Sequence, residues 1–107
     1  MCAVDPTIDL EADDRGGGRY TLLVAERAIG ELDFRMHDGR RVITHTGIRG
    51  DHEGRGLAGR LTRRMLDDAR AEGLWIVPLC SYVRHYLGKH PEDQDLVDQD
   101  LLAQLHP

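Results

Sequence analysis

Glycine is concentrated in residues 49–59, where four glycines alternate with charged and small apolar residues. Glycines before a helix let backbone N–H groups converge on an anion, and the helix adds the positive end of its dipole. Because an amphipathic pattern starts directly after these glycines, the segment has the composition of a phosphate-binding loop. The simpler alternative is an ordinary glycine-rich turn that joins a strand to a helix.

Gly54, Gly56 and Gly59 also match G-x-G-x-x-G, the fingerprint of dinucleotide-binding folds. In such folds the loop follows the first strand, and several strand–helix units come after it. Here the strand-like first half of the chain precedes the loop, and the apolar pattern predicts one further strand. The acidic residue expected after that strand is absent, since the chain continues into Pro78. The match is therefore not a dinucleotide site.

Three runs of strand-forming residues precede the glycine-rich segment. They cover residues 20–25, 29–36 and 41–48, and short turns separate them. One of these turns contains the dipeptide Asp38-Gly39, a strong hairpin signal. A shorter alternating run at residues 7–12 is compatible with another strand. We predict an antiparallel meander whose last strand ends at the glycine-rich segment.

Beyond the glycines the spacing of apolar residues changes to that of a helix. One face carries only apolar residues, four positions apart, namely Leu57, Leu61, Met65 and Ala69. Gly73 is placed to end this helix. The helix would therefore begin at the glycine-rich segment and present its N-terminus to a bound anion.

The chain continues with a short strand and two further helices. The continuous apolar run 74–77 is typical of a strand covered on both faces, and Pro78 ends it. Residues 81–89 predict a second helix, which Pro91 stops, and residues 95–105 predict a weaker third helix. The first helix thus ends just before this short strand, and the second begins just after it.

Composition limits the chain to one small domain. Its 107 residues carry a formal net charge of −5 and a pI near 5.6, which argues against nucleic-acid binding because phosphate backbones require a basic face. No apolar stretch approaches the roughly 20 residues of a membrane span. Cys2 and Cys80 lie in unrelated contexts, so the reducing cytoplasm is the expected location. We predict one domain over residues 1–107, with a variable N-terminus over 1–18 and a C-terminal tail helix over 98–107.

The order of these elements and several short motifs resemble the GNAT superfamily of acyl-CoA N-acyltransferases. Within that superfamily the chain is similar to a compact, single-domain subfamily of acetyltransferases that lacks the usual N-terminal helices. The motifs that carry this resemblance are at residues 45–46, 54–58, 77–80, 86, 90–92 and 95–97. The similarity extends from Tyr20 to Val97.

The resemblance implies an α/β (α+β) fold with a mainly antiparallel twisted sheet, a strand–loop–helix phosphate cradle and splayed strands that form an acyl-CoA cleft. It assigns cofactor binding to a set of residues around the loop, namely Ile48, Glu53, Gly54, Arg55, Gly56, Leu57, Ala58 and Arg60. The superfamily has Gln or Arg at the position of Glu53. A carboxylate there would repel phosphate if it pointed inward, and Arg55 and Arg60 could compensate.

The resemblance also places the acetyl-CoA thioester between the end of the third strand and the end of the short buried strand, beside Cys80. This cysteine lies at the N-terminal edge of a helix, whose positive end favours the thiolate. A thiolate next to a thioester could accept the acyl group, which would make the transfer a two-step reaction. The alternative is a small buried side chain that packs under the pantetheine.

Two further residues are candidates for proton transfer. Tyr86 matches in position the tyrosine that reprotonates the departing CoA thiolate in the superfamily; alternatively, it is an aromatic side chain with its hydroxyl at the surface. His45 could take a proton from an incoming amine or orient Cys80. Alternation along the strand predicts that His45 shares a face with Ile43 and lines the cleft, whereas the alternative is a half-buried structural histidine.

The sequence thus predicts acetyl-CoA-dependent transfer of an acetyl group to an amine by direct attack on the thioester. The acceptor would be a small molecule or a protein lysine, with no metal, nucleic acid or membrane involved, and the protein would be a monomer or a homodimer. Two alternatives use the same residues. One is a module that binds or senses acyl-CoA without efficient transfer, and the other is a cysteine-dependent thioesterase.

Overall fold

A five-stranded sheet organises the computed structural model, which describes residues 5–52 and 56–105. Its strands are β1 (Thr7–Ala12), β2 (Gly17–Val24), β3 (Arg27–His37), β4 (Arg40–Ile48) and β5 (Trp75–Pro78). They lie side by side in chain order, antiparallel from β1 to β4, and β5 pairs in parallel with β4. The predicted meander is confirmed, and the run at residues 7–12 forms its outermost strand.

The turn between β3 and β4 follows from its two residues. Asp38 and Gly39 both have positive φ, at 49° and 77°. Two successive residues with positive φ form the type of turn whose twist matches that of an antiparallel strand pair. The hairpin predicted from the Asp-Gly dipeptide is therefore confirmed.

Three α-helices follow the meander. They are α1 (Leu57–Glu72), α2 (Ser81–Lys89) and α3 (Gln99–Leu105), and short 3₁₀ turns occur at Gly50–His52 and Pro91–Leu96. The predicted first and second helices are confirmed. The N-terminus of α1 lies at the end of the glycine-rich segment, and the N-terminus of α2 follows shortly after β5.

The third helix starts four residues later than its predicted beginning at 95. Val97 instead forms an isolated parallel bridge with Ile76 of β5, and the N–H of Asp98 donates to the carbonyl of Ile76 at 2.9 Å. The Asp98 carboxylate then accepts the N–H of Leu101 at 3.0 Å and so caps α3. The α-helical expectation for 95–98 is wrong: residues 95 and 96 end the 3₁₀ turn, and Val97 has extended backbone held beside β5 by its bridge to Ile76.

The hydrophobic core lies between the sheet and the helices. Its fully buried members include Leu32 of β3, Ile43 of β4, and Leu61 and Met65 of α1. Tyr20 of β2 is also fully buried. Its hydroxyl donates to Asp68 of α1 at 2.7 Å and accepts from Arg41 at 3.0 Å, so a polar link joins the helix to the sheet within the core.

The opposite face of β1–β4 carries polar side chains, and we call it the open face. Residues directly opposite one another in a sheet share a face, and two cross-strand rows define this one. The first row is Glu11, Arg19, Asp33 and His45, and the second is Asp9, Thr21, Glu31 and Gly47. These residues are exposed or half-exposed, so the open face is accessible to another molecule.

Candidate active site

The sheet opens between β4 and the start of α2. β5 pairs only with Arg40–Ile43 of β4. At the end of β5 the N–H groups of Leu79 and Cys80 both donate to the carbonyl of Ile43, at 3.0 and 3.1 Å. Beyond this point residues 44–48 of β4 pair with β3 along one edge. Among the described residues, no strand pairs with them along the other edge. The other edge of this stretch is therefore free to bond an extended ligand.

A cleft of about 440 Å³ follows this free edge, and we call it the β4–α2 cleft. It is lined by Thr46, Gly47, Ile48, His52, Gly56, Leu57, Ala58 and Tyr82. Four of these, Ile48 and residues 56–58, belong to the predicted cofactor-binding set. Arg60 is exposed on α1 and is not among the lining residues, and the predicted Glu53, Gly54 and Arg55 lie outside the described residues.

The first turn of α1 forms one end of the cleft. Gly56 precedes the helix with φ of 72°, a conformation that glycine adopts at little cost. The first helical hydrogen bond runs from the N–H of Arg60 to the carbonyl of Gly56, so the N–H groups of residues 57–59 have no partner within the helix. The first turn also carries no acidic side chain. This end of the cleft can therefore accept an anion.

Cys80 lies at the other end of the opening, where it is the N-cap residue of α2. Its half-buried Sγ donates to Oγ1 of Thr46 across the gap, at 3.5 Å. Thr46 lines the cleft, so the thiol lies directly behind the cleft wall. The structure thus brings Cys80 to the end of β4, and its polar partner there is a threonine.

Two tyrosines of α2 face α1 at Gly59. A Cβ at Gly59 would lie 3.6 Å from the hydroxyl of Tyr82 and 3.6 Å from the Tyr86 ring. Tyr82 lines the cleft, and burial, assisted by the neighbouring Tyr86, raises the pKa of its phenol above the ordinary value. The ring of Tyr86 stacks on His90 with centroids 3.9 Å apart. Tyr86 is the tyrosine predicted from the sequence, whereas Tyr82 was not predicted, although it lies in the first turn of the helix whose N-cap residue is Cys80.

His45 does not share a face with Ile43, and that expectation is wrong. Asp33 is opposite His45 while Phe34 is opposite Ile43, so Thr44 is an extra residue that forms a β-bulge. The bulge reverses the alternation: Ile43 enters the core, and His45 lies on the open face. There its Nε2 is 2.8 Å from Oε2 of Glu31. The hydrogen-bond partner of the Cys80 thiol is therefore Thr46 and not His45.

His52 is a second lining residue that sequence analysis did not select. It ends the 3₁₀ turn after β4, and its side chain is 15% exposed. Its Nδ1 lies 3.1 Å from Oδ1 of Asp51, and this hydrogen bond lowers the pKa of the Asp51 carboxyl. His52 thus contributes an imidazole ring to the wall of the cleft near the first turn of α1.

Over residues 5–52 and 56–105, no three His, Cys, Asp or Glu side chains are grouped so that they could hold a metal ion. Over the same residues, no helix is long and apolar enough to cross a membrane.

Solved structures with a similar arrangement of elements include several acetyltransferases. Ribosomal-protein-alanine N-acetyltransferase from Brucella melitensis biovar Abortus 2308 is 15% identical and aligns over 79% of this chain and 90% of its own, with a TM-score of 0.67. A GCN5-like protein from Staphylococcus aureus is 24% identical over 83% and 86%, with a TM-score of 0.63. A GNAT family acetyltransferase from Elizabethkingia anophelis, solved with acetyl-CoA bound, is 14% identical over 79% and 73%, with a TM-score of 0.64. These similarities define the class: the chain has the GNAT acetyltransferase fold.

The family follows from the sequence. The model of the GCN5-related N-acetyltransferase family matches residues 19–96, which is most of the chain. The chain therefore belongs to the GCN5-related N-acetyltransferase family and is by class an N-acetyltransferase. No curated protein matches it significantly. The resemblance inferred from its short motifs is confirmed, as is the expected fold.

Proposed function

We propose that the chain binds acetyl-CoA along the β4–α2 cleft and transfers the acetyl group to an amine. The observation that carries this proposal is the continuity of the cleft, from the first turn of α1 to Thr46 and the Cys80 thiol behind it. One end suits a phosphate and the other a thioester, and the free edge of β4 runs between them. Membership of an acetyltransferase family supports the same conclusion.

The phosphate end rests on the backbone donors in the first turn of α1. The N–H groups of residues 57–59 have no helical partner, and the helix dipole adds partial positive charge at the same place. A pyrophosphate accepting from these groups would be bound mainly by the backbone. On sequence grounds we include Glu53, Gly54 and Arg55 in this loop, and we assign the exposed Arg60 a screening role toward the phosphates.

The pantetheine arm suits the free edge of β4. Its amide groups can pair with the backbone of residues 44–48 as an added strand would, which is β-augmentation by a ligand. The thioester would then lie near Thr46, where the sheet opens. Held there, its carbonyl carbon is placed for attack, and the main contribution of the protein is proximity and orientation.

In direct transfer, the nitrogen lone pair of the amine attacks the thioester carbonyl. The C–S bond then breaks, the CoA sulfur leaves as a thiolate, and the amine nitrogen gives up one proton. Tyr82 is the phenol in the cleft wall that can protonate the thiolate, and the adjacent Tyr86 is the second candidate. We assign the proton on the amine to His45.

Transfer through Cys80 is the second route. Its sulfur would attack the same carbonyl, release CoA and hold the acetyl group as a new thioester until the amine displaces it. The proximity of Sγ to the cleft wall favours this candidate. The half-buried position of Cys80 is equally that of a packing side chain, so the two routes must be separated by experiment.

The test is incubation with acetyl-CoA and an amine, with free CoA, the acceptor and the intact protein mass all followed. Transfer predicts CoA release matched by acetylated amine. CoA release matched by free acetate would replace the proposal with thioesterase activity, and binding without release would replace it with a sensor. Failure to bind acetyl-CoA would refute the proposal altogether.

Cys80→Ala and Cys80→Ser separate the direct route from the covalent one. If the protein gains one acetyl mass in wild type but not in Cys80→Ala, and Cys80→Ala also loses transfer, the covalent route is supported. Full activity in both variants, with no acetyl adduct on the wild type, supports direct attack. Thr46→Val is the matched variant, since it removes the hydroxyl partner of Sγ and keeps the thiol.

A further inference from the structure

We propose that Glu31 positions His45 as the base for the amine, so that the acceptor reaches the thioester from the open face. This inference rests on the proposed function. The carrying observation is the pair itself: Oε2 of Glu31 lies 2.8 Å from Nε2 of His45, across two neighbouring strands. Neither residue belongs to the hydrophobic core, and their side chains are 33% and 53% exposed.

The pair fixes which ring nitrogen of His45 can take a proton. An ionised carboxylate can only accept a hydrogen bond, so the hydrogen between the two side chains belongs to Nε2. The lone pair is then on Nδ1, and Nδ1 is the atom that receives the one proton that the attacking amine gives up. The resulting imidazolium keeps its bond to Glu31, which stabilises the charge where it forms.

The surroundings leave Glu31 available for this task. The other charged groups on the same face are Asp9 and Glu11 of β1, Arg19 of β2, and Asp33 and Arg35 of β3. Arg19 is engaged with Asp33 through two bonds, at 2.6 and 3.0 Å. Glu31 is therefore the carboxylate paired with His45.

Gly47 keeps the space beside the pair free. A Cβ at this position would lie 2.6 Å from Oε2 of Glu31, closer than real Cβ contacts come, and 3.0 Å from Nε2 of His45, which is tighter than most of them. Gly47 also lines the β4–α2 cleft. Gly47 thus borders the Glu31–His45 pair on the open face and also the proposed acyl site in the cleft. The two sites are therefore adjacent, on opposite sides of β4.

The bulge at Thr44 makes this arrangement possible. It turns His45 to the open face while Thr46, the next residue, lines the cleft. Consecutive residues of one strand therefore serve opposite sides of the sheet. An amine approaching from the open face meets His45 before it reaches the gap at the end of β4.

The test is a double-mutant cycle on acetyl transfer, with Glu31→Gln, His45→Gln and the double variant. The acceptor probe is spermidine or a lysine-containing peptide, whichever the wild type acetylates faster. We expect Glu31→Gln to lower kcat about tenfold and His45→Gln about a hundredfold, within the range of general-base contributions. The double variant should resemble His45→Gln, because Glu31 acts through that ring. The KM for acetyl-CoA should stay within twofold of wild type, and Asp33→Asn is the matched control with unchanged kcat.

Equal kcat for wild type and Glu31→Gln would overturn the inference while leaving the transferase proposal intact. If the two residues acted independently, their losses of kcat would multiply to about a thousandfold in the double variant. That result would also overturn the inference. A wild type that binds acetyl-CoA but acetylates neither probe would end both proposals. Thermal unfolding of each variant identifies any loss that arises from folding alone.

Discussion

Replacing Asp93 with Asn tests how the segment after α2 is fastened to α1. The Asp93 side chain is only 4% exposed. Its carboxylate accepts two bonds from Arg63, at 2.6 and 2.9 Å, and one from Arg70 at 3.3 Å. An amide keeps the shape of the side chain but turns one acceptor oxygen into an NH₂ group that faces a guanidinium. The variant therefore loses charge-assisted bonds while its volume is unchanged.

The magnitude follows from the number of bonds and the exposure of their donors. Hydrogen bonds to charged groups contribute about 1.5 to 3 kcal/mol each. Arg63 and Arg70 are 35% and 47% exposed, so water replaces part of what is lost. Together the two short bonds should contribute about 2 kcal/mol to the free energy of unfolding. In a domain of this size, that lowers Tm by about 10 °C.

Asp67→Asn is the matched control. Asp67 accepts a bond from the same Arg63 at 3.0 Å, but its side chain is 62% exposed. An exposed pair four residues apart on a helix contributes about 0.5 kcal/mol or less. Urea and thermal unfolding should therefore separate the two variants clearly. If Asp93→Asn were no less stable than Asp67→Asn, the reasoning from burial and bond geometry would be refuted.

The same carboxylate predicts a pH dependence. Its bonds from Arg63 hold the pKa of Asp93 below the ordinary value of 3.8. A carboxyl with a lowered pKa in the folded state stabilises the fold above its unfolded pKa and loses that contribution as pH falls through its folded pKa. The stability difference between wild type and Asp93→Asn should be complete near about pH 6 and shrink below about pH 4. A difference that stays constant over this range would contradict the assignment.

Two further substitutions have internal controls. Tyr82→Phe should lower kcat for acetyl transfer about tenfold. Tyr86→Phe changes a tyrosine outside the cleft lining and should change kcat less than twofold. If steady-state kinetics showed the larger loss for Tyr86→Phe, Tyr86 would be the acid. Gly56→Ala and Gly73→Ala place alanine at φ of 72° and 69°, at opposite ends of α1, where the new Cβ would have no described residue within 4 Å apart from its chain neighbours. Each substitution should lower the free energy of unfolding by about 1 kcal/mol. Only Gly56→Ala should weaken acetyl-CoA binding measured by calorimetry. Equal affinities of the two variants for acetyl-CoA would argue against phosphate binding at the first turn of α1.

The sequence was sufficient for the elements because each is encoded locally. The apolar stripe of α1 and the Asp38-Gly39 turn depend on residues a few positions apart. The start of α3 could not be read in the same way. Val97 fits the spacing of apolar residues on a helix, yet it pairs with Ile76, twenty-one residues earlier. A bond between distant segments overrode the local pattern.

The candidate site was predictable where it depends on the loop and less so where it depends on register. Gly56, Leu57 and Ala58 follow from a motif that is continuous in the chain. The orientation of His45 depends on a bulge, which is a property of two strands and leaves no mark in the alternation of β4 alone. The pairing of His45 with Glu31 requires the same register. Tyr82 could have been found from its place in the first turn of the helix that Cys80 caps.

The central claim is that acetyl-CoA lies in the β4–α2 cleft. Titrating ¹⁵N-labelled protein with acetyl-CoA and following the backbone amide shifts tests it directly. Binding should perturb the amides of residues 44–48 and 57–59, together with those of Cys80 and Tyr82, and leave Asp9 and Glu11 at the far side of the open face unchanged. Saturable binding with shifts confined to another surface, or no shift at millimolar acetyl-CoA (about 4 kcal/mol or less of binding free energy), would contradict the account.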